Sequence, residues 1–269
     1  MKLATIGAPL LMTRAIEFIS LFLLVCAAAS CNERTLKSHA SADSSTKPVG
    51  NDGALQRADS SVRGVIVVLG SSTAAGIGPK DPNNAWVARY QAYLAAQFPN
   101  VTLRNLAVGG QTTFEVQPTG YVPPPNRPAP AEGKNITAAL ALNPRAIIVN
   151  LPSNDQANNY PLSEQLANYE RVATLARNAH VALWISSPQP RNFGESVQTA
   201  GLTQLRDELA KKYAPRTLDF WSPFASANGF IKANYNAGDG THLNDAAHAI
   251  LAGIVESARI PQQFSAASD

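Results

Sequence analysis

The chain has 269 residues, 45% of them hydrophobic and 15% charged, enough to bury the core of one full-sized domain. A formal charge of +3, scattered along the chain, leaves no basic footprint for nucleic acid. Both cysteines, Cys26 and Cys31, lie near the N-terminus, so the remainder holds neither a disulfide framework nor a cysteine zinc site. The four histidines (His39, His180, His242 and His248) form no HExxH pair, and no metal or cofactor is expected.

Residues 1–31 read as an export signal: Lys2 and Arg14 precede an apolar run from Phe18 to Ala29 that is too short to span a bilayer comfortably. The run ends in Ala28-Ala29-Ser30-Cys31, which resembles a bacterial lipobox, with Ala28 where leucine is usual. Lipidation at Cys31 is therefore expected, anchoring the protein to a membrane facing the periplasm or cell surface. The alternative is cleavage near Ala29 and a soluble secreted product. Residues 32–62, rich in Ser, Ala, Asp and Lys, read as a disordered tether that includes His39.

The domain is expected over 63–262, with a short tail at 263–269. Val65 to Leu69 is a continuous β-branched and apolar run, the pattern of a strand buried on both faces. It breaks at Gly70-Ser71-Ser72-Thr73, which places a hydroxyl at the carboxyl edge of the sheet, where open α/β folds bind ligands. Ala85 to Phe98 has helical spacing, and Val101 to Leu106 is a second strand that runs into Ala107-Val108-Gly109-Gly110-Gln111-Thr112. The proline-rich passage 117–132, with Tyr121 at its centre, reads as a stiff loop. A short helix at 136–142 leads to a third strand, Ala146 to Leu151, ending in Pro152-Ser153-Asn154-Asp155. A helix at 162–179, a strand at 181–185, a helix at 197–213, a strand at 217–221 and a helix at 244–258 complete the chain. This alternation predicts an α/β domain, a three-layer α/β/α sandwich around a parallel sheet.

A serine nucleophile needs a base, a group to orient that base, and donors for the oxyanion. Asp239-Gly240-Thr241-His242, in a glycine-rich turn before the last helix, offers a carboxylate and an imidazole three residues apart. Asp245-Ala246-Ala247-His248 repeats the spacing but falls inside the helix, which favours His242. His180, between a helix and a strand, reads as a helix C-terminal residue. Taken alone, Ser72 reads as a helix cap.

Together the four blocks resemble the SGNH, or GDSL-type, hydrolase family. The resemblance implies a flavodoxin-like five-stranded parallel sheet and a triad of Ser72, His242 and Asp239. It also implies an oxyanion hole from the Ser72 and Gly110 N–H groups and the Asn154 amide. Ser71 stands where the family has aspartate, and Pro152 where it has glycine. The expected activity is hydrolysis of carboxylic esters through an acyl-enzyme, on short acyl or O-acetyl groups of carbohydrate, or alternatively on lysophospholipids and other lipid esters. Gln189, Arg191 and Tyr121 are the candidate substrate contacts.

Two other enzyme readings fail. Lys80, preceded by Pro79 and followed by Asp81, does not make a phosphate loop, and no GxSxG elbow occurs. A non-catalytic glycan-binding surface lipoprotein with the same fold is the rival from a different class.

Overall fold

The computed structural model describes residues 57–264. The signal and lipidation site at 1–31 and most of the tether lie outside these residues. The tether's last residues do not trail away from the domain. Asp59 donates its N–H to the Gln97 carbonyl at 2.7 Å, Asn100 Nδ2 donates to the Ser60 carbonyl, and Val62 is buried in the core. Phe264, assigned to the tail from sequence, is likewise buried, under the Arg145 guanidinium.

Five strands form one parallel sheet: β1 (Arg63–Gly70), β2 (Asn100–Asn105), β3 (Ala146–Asn150), β4 (Ala182–Ser186) and β5 (Thr217–Leu218). Their order across the sheet is β2-β1-β3-β4-β5, which is the flavodoxin-like order expected. The helices are α1 (Ser72–Ala75), α2 (Trp86–Gln97), α3 (Ile136–Ala141), α4 (Asn154–Ala157), α5 (Leu162–Asn178), α6 (Ser196–Tyr213) and α7 (Asp245–Ser257). The one-turn helices α1 and α4 were not legible in the sequence, because four residues carry no periodicity.

Alternation along the central strands divides the core into two layers. Ile66 and Val68 of β1 and Ala146 and Ile148 of β3 pack with Trp86, Tyr90 and Leu94 of α2 and with Leu251 and Val255 of α7. Val67, Leu69, Ile147 and Val149 face the other way, onto Tyr169 and Val172 of α5 and Leu205 and Leu209 of α6. Because both faces are covered, β1 and β3 carry unbroken apolar runs, Val65 to Leu69 and Ala146 to Val149, and Ile66 to Leu69 are entirely buried.

Between β1 and β3 the strand order reverses, since β1 leads to β2 on one side and β3 continues to β4 on the other. The segments that leave these two strands diverge and open a crevice at their carboxyl ends. Ser72 follows β1 and Asn154 opens α4 after β3, so the fold alone brings two of the four sequence blocks to this crevice.

Candidate active site

Gly70 and Asn150 are register partners, and a Cβ at Gly70 would stand 2.6 Å from the Asn150 carbonyl oxygen and 2.9 Å from Ala74 Cβ. Only glycine permits this approach, and it lets the chain turn at once into α1. Ser71, in extended conformation, is the residue before the helix, and its side chain makes no capping bond. Ser72 is the first helical residue, only 7% exposed, and its hydroxyl makes no hydrogen bond to a described residue. The capping role that sequence suggested for Ser72 is therefore not the one it fills.

The second and third blocks are tied to the first by named bonds. Val108 donates its N–H to the Gly70 carbonyl at 3.1 Å, and Asn105 Nδ2 donates to the Ala74 carbonyl at 2.8 Å. Gly110, with φ +89° and no atom near the position of an added Cβ, is exposed at the rim. Asn154 Nδ2 donates to Ser71 Oγ at 2.7 Å and to the Gln111 carbonyl at 2.9 Å. Ser71, where the family has aspartate, thus still supplies an acceptor that orients the Asn154 amide. Pro152 is buried, and the N–H it lacks lies before the start of α4 at Asn154, so the helix itself loses no bond.

The last block is a tight turn. Asn236 Oδ1 accepts the N–H groups of Gly238 at 2.8 Å and Gly240 at 3.1 Å. Asp239 Oδ1 accepts those of Thr241 at 2.9 Å and His242 at 2.8 Å, while Oδ2 meets His242 Nδ1 at 2.6 Å. Burial pushes the Asp239 carboxyl up, but these bonds and the His242 charge outweigh it and hold it at about 2. Across neutral pH Asp239 is therefore a carboxylate, which places the imidazole proton on Nδ1 and leaves Nε2, across the ring, as the basic lone pair.

Two contacts press this turn against the first block. Gly78, at φ +121°, lies so close to the turn that an added Cβ would stand 2.1 Å from the Leu243 carbonyl oxygen and 3.2 Å from His242 Cβ. Thr73 Oγ1, next to Ser72, donates to Gln189 Oε1 at 2.7 Å, and Gln189 Nε2 donates to the Thr241 carbonyl at 2.8 Å.

With this arrangement in view, the chain matches the GDSL-like Lipase/Acylhydrolase family over residues 68–250. The chain belongs to that family. It is accordingly a carboxylic ester hydrolase. Among solved structures the hydrolase is similar to the psychrotrophic esterase EstA from Pseudoalteromonas sp., at 17% identity over 72% of this chain and 94% of that one, with a TM-score of 0.54. It is also similar to the lipase/acylhydrolase from Enterococcus faecalis, at 15% identity over 75% of this chain and 95% of that one, TM-score 0.54. A two-domain esterase active on acetylated mannans aligns at 17% identity over 76% of this chain and 50% of that one, TM-score 0.50. No curated protein sequence matches the chain.

The three residues assigned to substrate from sequence have different places in the hydrolase. Gln189 is 1% exposed and both ends of its amide are engaged, so it joins Thr73 to Thr241 and offers nothing to a ligand. Tyr121 packs its ring against Arg171 of α5, whose guanidinium carbon lies 4.4 Å from the ring centroid. The proline-rich loop around it is pinned to the same region by the Arg127–Glu164 ion pair at 2.7 Å. Arg191 is at the rim: Nη1 donates to Ser153 Oγ at 3.5 Å.

The histidines separate cleanly. His248 is fully buried, and its Nδ1 accepts the N–H of Trp86, the first residue of α2, at 3.0 Å. It caps one helix from inside another. His180, at φ +58°, ends α5 by donating its N–H to the Arg177 carbonyl.

Sequence reading missed the support behind Asn154. Asp155 is buried and accepts from Thr113 through N at 2.9 Å and Oγ1 at 2.6 Å, and Asn168 Nδ2 donates to the same Thr113 oxygen. Burial pushes the Asp155 carboxyl up to about 6, although the Thr113 bonds oppose the rise. The bonds fix the loop after Gly110 to the start of α4. The only sequence signal was an acidic residue directly after Asn154.

Proposed function

We propose that the hydrolase is a serine esterase that works through Ser72, His242 and Asp239 and an acyl-enzyme. The observation that carries the reading is the Asp239–His242 pair, bonded at 2.6 Å and held by Gly78 and Gln189 against the block that bears Ser72. In the proposed cycle His242 Nε2 takes the Ser72 proton as Oγ attacks the ester carbonyl. The oxyanion is received by the N–H groups of Ser72 and Gly110 and by the Asn154 amide, which keeps its bond to Ser71 Oγ and turns the N–H now on the Gln111 carbonyl toward the substrate. His242 then protonates the leaving alcohol and next activates water to release the acid. The serine–imidazole bond closes during this cycle, as catalytic hydrogen bonds are often long before substrate tightens them.

The substrates we assign are short acyl esters, with O-acetyl groups on carbohydrate first. The similar two-domain esterase active on acetylated mannans supports that order, ahead of lysophospholipid or other lipid esters. The deciding experiment is turnover of a small chromogenic acetyl ester by the wild type and by Ser72→Ala. Loss of turnover with an unchanged circular dichroism spectrum is expected. Equal, non-zero rates would end the assignment of Ser72 as nucleophile, and no turnover of any ester by the wild type would favour a glycan-binding protein.

We further propose that residues 1–31 direct export and that Cys31 is lipidated, placing the domain outside the cytoplasm. A lipid-modified N-terminal peptide beginning at Cys31 is the expected mass-spectrometric result. An unmodified mature terminus near Ser30 would show a secreted product.

A further inference from the structure

The segment after β4 carries Arg191 between the two halves of the site. On one side Nη1 reaches Ser153 Oγ at 3.5 Å, and Ser153 immediately precedes Asn154. On the other, its charge is close enough to Asp239 to interact with it, while Asn192, the next residue, donates its N–H to the Gly240 carbonyl at 2.8 Å. The guanidinium is thus suspended across the rim between the Asn154 loop and the Asp239–His242 turn.

Its environment is incomplete for a cation. Arg191 is partly buried, and burial pushes the guanidinium down, with Asp239 offsetting only part of that effect. No carboxylate lies within 4.0 Å of it among the described residues, in contrast to Arg127, Arg177 and Arg206, each of which has one. Asp239 is committed to His242 and to two backbone N–H groups. Of five guanidinium N–H donors, a single long contact to Ser153 is made. The side chain is nevertheless held, with its guanidinium carbon 5.1 Å from the centroid of Phe193, and Phe193 is itself packed with Leu202 and Trp221. A positioned guanidinium with free donors is suited to a carboxylate, which it receives through two parallel bonds.

We propose that Arg191 is a specificity residue that binds a carboxylate carried by the substrate close to the scissile ester, so that the preferred substrates are anionic esters. This rests on the esterase reading given above. Two sources supply that chemistry: a uronic acid bearing the O-acyl group, with the carboxylate on the alcohol side, or a dicarboxylic acyl group such as a succinyl monoester.

The test uses matched pairs. Wild type and Arg191→Gln are assayed on O-acetyl methyl galacturonoside against the corresponding O-acetyl methyl galactoside, and on a succinyl against a butyryl monoester of one alcohol. The wild type is expected to favour the acidic member of one pair by ten-fold or more in kcat/KM. Arg191→Gln brings that ratio to about one, chiefly through a higher KM for the acid. Whichever pair shows the effect identifies the side that carries the carboxylate. Equal rates within both pairs, or an equal loss on acidic and neutral esters in the variant, would overturn the proposal. Binding of the same compounds to Ser72→Ala, with and without Arg191→Gln, is measured in parallel by calorimetry. Selective, Arg191-dependent binding of an acid together with no ester turnover would refute the catalytic reading and uphold this one. Turnover without acid preference would do the reverse.

Discussion

Replacing His248 by asparagine isolates the energetic consequence of burying a histidine to cap a helix. In the folded protein burial pushes His248 down to about 4 from 6.5, Asp245 opposes the shift, and His242 and Arg89 reinforce it. Nδ1 must remain unprotonated to accept the Trp86 N–H. The unfolded chain therefore binds more protons at this residue between the two values. Stability is complete above about pH 6.5 and falls as pH drops toward 4, below which both states are protonated. At roughly 1.4 kcal/mol per pH unit the interval corresponds to about 3 kcal/mol, or about 6–12 °C in Tm for a domain of this size. Asparagine retains an acceptor for Trp86 and does not titrate, so its own cost is independent of pH. Urea unfolding of both proteins at intervals from pH 7 to pH 4 gives the difference directly. The advantage of the wild type should shrink by about 3 kcal/mol across that range. A difference that stays constant would refute the assignment of His248 as a neutral buried cap.

Asn154→Ala removes the proposed side-chain oxyanion donor and the two bonds to Ser71 and Gln111. A fall of about 10²–10³ in kcat with little change in KM is expected from steady-state kinetics, and a raised KM at constant kcat would contradict the role. Gln189→Leu leaves Thr73 Oγ1 and the Thr241 carbonyl without partners. A loss of about 1–3 kcal/mol in urea unfolding is expected. With it should come a lower kcat at near-constant KM for the acetyl ester, because the link from the Ser72 segment to the His242 turn is severed. Wild-type kcat in this variant would reduce Gln189 to a packing residue.

Local chemistry made much of this protein legible in the sequence. The central strands read correctly because a strand covered on both faces must be apolar, as in Ile66 to Leu69 and Ile147 to Val149. The edge strand β2 was instead legible from alternation, with Val101 and Leu103 buried and Thr102 and Arg104 exposed. The last, Thr217–Leu218, has two residues against the five expected, too few to set a pattern. The Asp239–His242 pair was readable because three residues and two glycines suffice to form its turn. Contacts between distant segments decided the rest. His248 repeats the motif spacing of His242, and only the approach of α7 to Trp86, 162 residues away in sequence, makes it a structural acceptor. Gln189 lies in a loop after a strand, as a ligand contact would, and only the joint positions of Thr73 and Thr241 turn its amide inward. Composition and periodicity specify which elements form and which face each buries. Which polar group finds which partner depends on distances set by packing the sheet and helices together, and no local pattern encodes those distances.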